Sequence, residues 1–282
     1  MTAPDPIVTT GWLADHLGTP GLVVCDATTF LPTEGRNAAD EYRAAHIPGA
    51  RFFDVNDVAD PDTDLPHMVP SPGRFGRLMG AMGISNASKV VFYDLKGLAL
   101  SARGWWLMGL FGHDNAFVLD GGLPKWLREG RPVEAGQPPA PQPAAFQATF
   151  RASRLRGIGD MLDIVGSQSA LVLDARPAGR FDGTAPEPRP GLPSGHMPGA
   201  RNVPSTSLLH PDGTMLDRAA LRAIFAGAGA DGSTPIVTSC GTGVTATILT
   251  LGLQRAGLKP GAVYDGSWTE WAGRTDTVKE NT

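Results

Sequence analysis

Three blocks of this chain occur twice, in the same order. Val23-Val24-Cys25-Asp26-Ala27 returns as Leu171-Val172-Leu173-Asp174-Ala175. Ala45-His46-Ile47-Pro48-Gly49-Ala50-Arg51 returns as Gly195-His196-Met197-Pro198-Gly199-Ala200-Arg201, and Val118-Leu119-Asp120-Gly121-Gly122 as Val263-Tyr264-Asp265-Gly266-Ser267. Ordered self-similarity of this kind marks an internal duplication. Each half is then expected to be a domain with its own core, and 282 residues are enough for two. Both halves alternate strand-like and helix-like segments, which predicts an α/β class with a small parallel sheet flanked by helices in each. Between them, Pro132 to Phe150 includes the proline-rich run Glu134-Ala135-Gly136-Gln137-Pro138-Pro139-Ala140-Pro141-Gln142-Pro143, an extended linker that could equally be packed against a sheet. The expected division is residues 1–133, a linker over 134–150, and residues 151–282.

In the first half, Thr10 is expected to cap a short helix through His16. Leu22 to Ala27 reads as a buried strand, Ala38 to Arg43 as a helix, and His46 to Asp54 as a turn into a strand. An irregular acidic stretch over Asn56–Pro72 holds Asp64-Leu65-Pro66-His67-Met68, and loops of that length are often functional. A helix over Phe75–Met82, a strand over Lys89–Asp94, a helix over Ala102–Phe111, a strand from Ala116 and a short helix from Lys125 complete the half.

Bulk properties exclude several classes. The net charge is −4, with no basic run or aromatic-basic patch of the kind that binds nucleic acid. No apolar run is long enough to span a bilayer. Met1 to Pro6 shows no basic and apolar export signal. Two cysteines, Cys25 and Cys240, can make neither a disulfide framework nor a cysteine-based zinc site. A reducing, cytoplasmic setting is expected.

The chemistry concentrates in Pro235 to Ala246. Ile236 to Thr238 read as strand, Gly241 and Gly243 as a tight loop, and Val244 to Arg255 as a helix closed by Ala256-Gly257. Such a turn gathers backbone N–H groups at the positive end of a helix dipole, which favours an anion. A cysteine at its mouth should ionise readily and could act without a histidine base. A buried core cysteine at a strand end has the same local signature. Cys25 lies within a strand with no glycine-rich loop after it and reads as structural.

Cys240-Gly241-Thr242-Gly243-Val244-Thr245 resembles the six-residue active-site loop of the rhodanese superfamily, in its version from 3-mercaptopyruvate sulfurtransferases. Relatives that use thiosulfate usually carry cationic residues directly after the cysteine, where this chain has Gly241 and Thr242. The resemblance covers nearly the whole chain and implies two tandem rhodanese-like domains. Aligning Val90–Tyr93 with Ile236–Ser239 sets Asp94 opposite Cys240. The first domain is therefore expected to be inactive and to shape one wall of the site, its carboxylate repelling any bound anion. The Gly-Arg-Phe and Glu-Pro-Arg patterns place the substrate arginines at Arg180 and Arg189, whose guanidinium forks suit a carboxylate. Arg176 matches an arginine with a structural role. His67 matches the histidine of a segment that reaches across the domain boundary, and Asn56 stands where some relatives have an acidic residue.

The resemblance implies a sulfur transfer without metal or organic cofactor. Arg180 and Arg189 would hold a small keto-acid sulfur donor, Cys240 would attack its sulfur, and pyruvate would leave. The N–H groups of Gly241, Gly243, Val244 and Thr245 would cradle the persulfide. Thr242 would bond the substrate or relay a proton, and Thr245 is expected to cap the following helix. A thiol, with thioredoxin among the candidates, or cyanide would take the sulfur. Thiosulfate as main donor is the nearest alternative. A cysteine phosphatase would need an arginine where Ala246 stands. A non-catalytic binding module of the same fold remains a third reading.

Overall fold

The computed structural model describes residues 5–281; Met1–Pro4, part of the stretch read for an export signal, and Thr282 lie outside them. The first half supplies strands β1 (Ile7–Val8), β2 (Leu22–Asp26), β3 (Arg51–Phe52), β4 (Lys89–Tyr93) and β5 (Ala116–Leu119). The second supplies β6 (Leu155–Arg156), β7 (Leu171–Asp174), β8 (Arg201–Asn202), β9 (Ile236–Ser239) and β10 (Ala262–Tyr264). They form two five-stranded sheets, β1-β5-β4-β2-β3 and β6-β10-β9-β7-β8. Every pairing is parallel. Strand for strand, the second order repeats the first, so the duplication read in the sequence is a duplication of topology.

Parallel sheets are covered on both faces, which is why β4 and β9 are buried without alternation. The inner faces share one core that runs through both halves, with Phe92 and Trp106 from the first and Phe225 and Leu251 from the second. The helices Ser101–Leu110 and Ala246–Arg255 pack against each other across this seam. Each outer face keeps its own cluster, around Tyr42 and Trp126 in the first half and Phe181 and Trp268 in the second. The repeated histidines are architectural. His46 stacks on Tyr42 and His196 on Phe181, and each ring Nδ1 bonds a carbonyl of its own half.

Local starts differ from the sequence reading in small, explicable ways. Thr9, not Thr10, caps the first helix, accepting the Trp12 N–H at 3.0 Å, while the Thr10 hydroxyl donates to Glu129 at 2.7 Å. Two adjacent threonines offered the same cap chemistry. The stretch from Asn56 is not wholly irregular: Asp54 caps a short helix, Val55–Val58. Ser71 caps a helix over Pro72–Ala81, which begins with proline at its first turn, ahead of Phe75. The proline-rich segment is packed. The Ala144 N–H donates to Gly80 O and the Thr149 N–H to Phe111 O, both at 2.9 Å, and Phe146 is buried. Gly80 is required there, because a Cβ would come within 2.5 Å of Ala144 O. Among the described residues no helix is long and apolar enough to cross a membrane.

Candidate active site

The segments that leave the C-terminal ends of β2, β4, β7, β9 and β10 converge on one cavity of about 460 Å³ between the halves. Open parallel sheets place ligand sites at that end of their strands. Cys240 follows β9 directly, is 1 % exposed and lines the cavity. Gly241, Thr242, Val244, Thr245, Arg180, Arg189 and His67 line the same cavity. Gly243 does not. Its φ is +76°, and a Cβ there would come within 2.6 Å of Asp265 O, so the loop needs glycine to turn and to pack.

The loop is held from behind by the end of the repeated Asp-Gly block and the two residues after it, to which the sequence reading gave no role at the site. The Cys240 N–H donates to Ser267 Oγ at 3.2 Å, the Trp268 N–H to Cys240 O at 2.9 Å, and Thr269 binds Gly241 O through its N–H (2.9 Å) and hydroxyl (2.7 Å). Among the described residues no group accepts from the N–H of Gly241, Thr242, Gly243, Val244 or Thr245. Thr245 stands at the helix N-cap but its side chain makes no capping bond, contrary to expectation. Its backbone is already helical there, so the hydroxyl is not carried over the next N–H groups.

The two arginines expected to hold the substrate have different surroundings. The Glu187 carboxylate bridges Arg176 and Arg180: Oε1 accepts from Arg176 Nη1 at 2.7 Å, and Oε2 from Arg180 Nε at 3.0 Å and from its Nη2. One fork of Arg180 is thus occupied by the protein. Arg176 is buried, chelated by Asp174 and stacked on Trp268, as a structural arginine would be. Arg189 has no hydrogen bond or ion pair among the described residues, and partial burial pulls its pKa below the usual arginine range. A desolvated guanidinium without a carboxylate seeks an anion.

His67 reaches the site from the first half. Its Nδ1 is 3.0 Å from Thr242 Oγ1 and its Nε2 is 3.1 Å from Asn56 Oδ1. Asn56 Nδ2 in turn donates to Asp54 Oδ1 at 2.9 Å. That orientation leaves Asn56 a carbonyl oxygen to offer, so Nε2 carries the proton and Nδ1 accepts from the Thr242 hydroxyl. Burial, with the charges of Arg103 and Arg189, lowers the His67 pKa from 6.5 to about 4. The ring is therefore neutral at physiological pH and can accept a hydrogen bond from the Thr242 hydroxyl. Its φ of +62° is left-handed, a conformation that costs a residue with a side chain ~1–2 kcal/mol.

What holds His67 there is Arg103, which sequence reasoning missed. This buried residue of the 101–110 helix donates from Nη2 to His67 O (2.6 Å) and Asp265 Oδ1 (2.8 Å), and from Nη1 to Gly243 O (3.2 Å). Asp265 Oδ2 accepts the Val69 N–H at 2.6 Å. One ion pair across the seam thus ties the His67 segment to the cysteine loop. The repeated Asp-Gly block was its signal, since Asp120, the mirror of Asp265, also bonds across the seam, to the Met215 N–H at 2.9 Å.

Cys25 is fully buried, and burial pushes its thiol up to about 12. Asp94 occupies the position of Cys240 in the first half, and its carboxylate is taken up by its own loop.

A family model for the rhodanese-like domain matches residues 9–129 and again 158–274. The chain belongs to the rhodanese family. Its two matches fall on the two sheets, so this rhodanese is a tandem one. It is 42 % identical to "Thiosulfate/3-mercaptopyruvate sulfurtransferase 2" of Arabidopsis thaliana, over 96 % of this chain and 85 % of that protein. It is 39 % identical to the 3-mercaptopyruvate sulfurtransferase of Escherichia coli K12, over 95 % of each. The crystal structure of SseA from Escherichia coli, described as a 3-mercaptopyruvate sulfotransferase, superposes with a TM-score of 0.85 at 36 % identity, over 95 % of this chain and 99 % of that one. This rhodanese is a sulfurtransferase.

Proposed function

We propose that the chain moves sulfur from 3-mercaptopyruvate to a thiol or to cyanide through a persulfide on Cys240. The observation that carries the choice of donor is Arg189: a cation without a protein partner, facing the cavity that holds Cys240. Arg189 and the free edge of Arg180 bind the carboxylate and keto oxygen. The Cys240 thiolate attacks the substrate sulfur, the carbon–sulfur bond breaks, and its electron pair passes to the ketone to give pyruvate enolate. Both guanidinium groups stabilise that developing charge. The enolate is protonated and leaves as pyruvate. The persulfide anion is cradled by the loop N–H groups, and neutral His67 orients the Thr242 hydroxyl. Because Asn56 cannot take up charge, no carboxylate touches the His67 ring directly, which disfavours an imidazolium and leaves His67 a hydrogen-bond acceptor that orients Thr242.

In this reading the first half, residues 1–133, does no chemistry of its own, and residues 151–282 are the catalytic half. Thiosulfate is the second reading for the donor, since two relatives' names carry both substrates and a third is named for thiosulfate alone. The uncharged Gly241 and Thr242 argue against a doubly charged donor beside the thiolate. Turnover with the two donors, side by side and with one thiol acceptor, tests the choice. Expected is a preference for 3-mercaptopyruvate that falls about 100-fold in kcat/KM in Arg189→Met, the size of a charged hydrogen-bond pair. A preference for thiosulfate, unaltered in Arg189→Met, would overturn it.

A further inference from the structure

The keto acid accounts for only part of the cavity. A three-carbon donor held by Arg180 and Arg189 leaves the wall from the first half uncovered, and about 460 Å³ is room for a considerably larger ligand. That wall consists of Phe30, Leu31, Glu34, Arg36 and Lys96. Its charges are arranged around one ring. The Arg36 guanidinium lies 4.0 Å and the Lys96 ammonium 5.4 Å from the centroid of Phe30. Lys96 Nζ is 2.7 and 2.6 Å from the two Glu34 oxygens. Leu31 is 40 % exposed beside them.

We propose that this wall is the acceptor subsite and that it takes a short peptidic thiol with charged ends. The proposal rests on Cys240 as sulfur carrier. The acceptor thiolate must approach the outer persulfide sulfur in line with the S–S bond. Cys240 lies on a loop of the second half, so the approach is from the facing wall. A peptidic thiol has chain on both sides of its sulfur and needs more surface than the donor. Phe30 and Leu31 give it an apolar face. Lys96 pairs with Glu34 and Arg36 with Glu41, and both can turn to the carboxylates of the ligand, while Glu34 meets its ammonium group. In the step itself the acceptor thiolate bonds to the outer sulfur, the S–S bond breaks, and its electron pair returns to Cys240 as thiolate. The acceptor leaves as a persulfide, and no oxidant or reductant is consumed.

The test separates this step from donor use. Cys240 of the full chain is loaded with inorganic polysulfide, which requires no keto-acid pocket. Excess is removed, and loss of the persulfide is followed by intact mass on adding glutathione, 2-mercaptoethanol or reduced thioredoxin. In Phe30→Ala and in Lys96→Gln, the glutathione concentration for half-maximal discharge is expected to rise about tenfold, the equivalent of one charge-assisted contact, while 2-mercaptoethanol changes less than about twofold. Unchanged discharge to glutathione would overturn the proposal. So would equal loss with both thiols, which would mean that the variants disturb Cys240 itself. Loss confined to thioredoxin would overturn it in favour of a protein partner. Pyruvate release from 3-mercaptopyruvate, measured separately, reports on the donor reading alone.

Discussion

At the end of β4, the Asp94 carboxylate accepts the N–H groups of Lys96 (2.6 Å), Leu100 (2.9 Å) and Ser101 (2.7 Å). At the matching end of β9, Cys240 is followed by five N–H groups that have no acceptor among the described residues. Gly97 and Gly243, each third after its strand-end residue, both have positive φ, at 96° and 76°. The two loops thus keep the same turn and the same tendency to gather N–H donors. One has closed the cradle with a carboxylate of its own, and the other leaves it for an anion from outside. The residues behind the loops diverge in the same sense. Gly122 (φ +54°) and Ser267 (φ +49°) are mirror positions. A Cβ at Gly122 would collide with Asp94 O, whereas Ser267 accepts strain and gains a hydroxyl that receives the Cys240 N–H. Strain is tolerated in the half that has a thiol to place.

Exchange of the two strand-end residues is the largest test of that contrast. Cys240→Ser should reduce turnover to background, and adding Asp94→Cys should not restore it, because position 94 is fully buried and does not line the cavity. Restored turnover would show that the loop alone makes the site. Next in size is Arg103→Met, which strands the buried Asp265. A loss of about 3–5 kcal/mol in urea unfolding is expected, as for other broken buried pairs. A loss below about 1 kcal/mol would mean that the halves do not depend on this pair. Asp94→Ala should cost on the order of 3 kcal/mol by leaving two buried N–H groups and a partly buried third unpaired. Added formate should then raise its Tm, and a Tm indifferent to formate would deny that the first loop is a cradle. Ser267→Gly relieves strain while removing the Cys240 contact. Stability should change by less than about 1 kcal/mol while kcat/KM falls several-fold.

The effect confined to the narrowest range of conditions is on pH. The folded pKa of His67, about 4, lies below its unfolded value of 6.5, so the folded chain binds fewer protons between those limits. This contribution is complete above pH 6.5 and is lost as pH falls toward 4. His67→Gln should flatten that part of the stability profile, and an unaltered slope would show that the ring is not desolvated.

The duplication, the parallel sheets and the cysteine loop were legible because they depend on local chemistry: β-branched runs, glycines at forced turns, and blocks repeated in order. The linker's composition was legible, but its packing depends on Gly76 and Gly80 making room for Phe146 and Ala144, which is a long-range fact. Arg103 was hidden because it is one cation in an otherwise apolar helix, and its partners lie far along the chain at Gly243 and Asp265. Asp94 was read as a charge that would repel an anion. It takes the anion's place, which follows only once its three N–H donors are in view. Glu187 was read as part of a pattern around Arg189, and the structure gives it to Arg176 and Arg180 instead.

The central claim is that the open cradle carries sulfur on Cys240. The most direct measurement is a single turnover of the unaltered chain with 3-mercaptopyruvate and no acceptor, following pyruvate and mapping mass by peptide. Expected is one pyruvate per chain, with one added sulfur atom on the Cys240 peptide and none on that of Cys25. Pyruvate released without retained sulfur, or sulfur retained at Cys25, would contradict it.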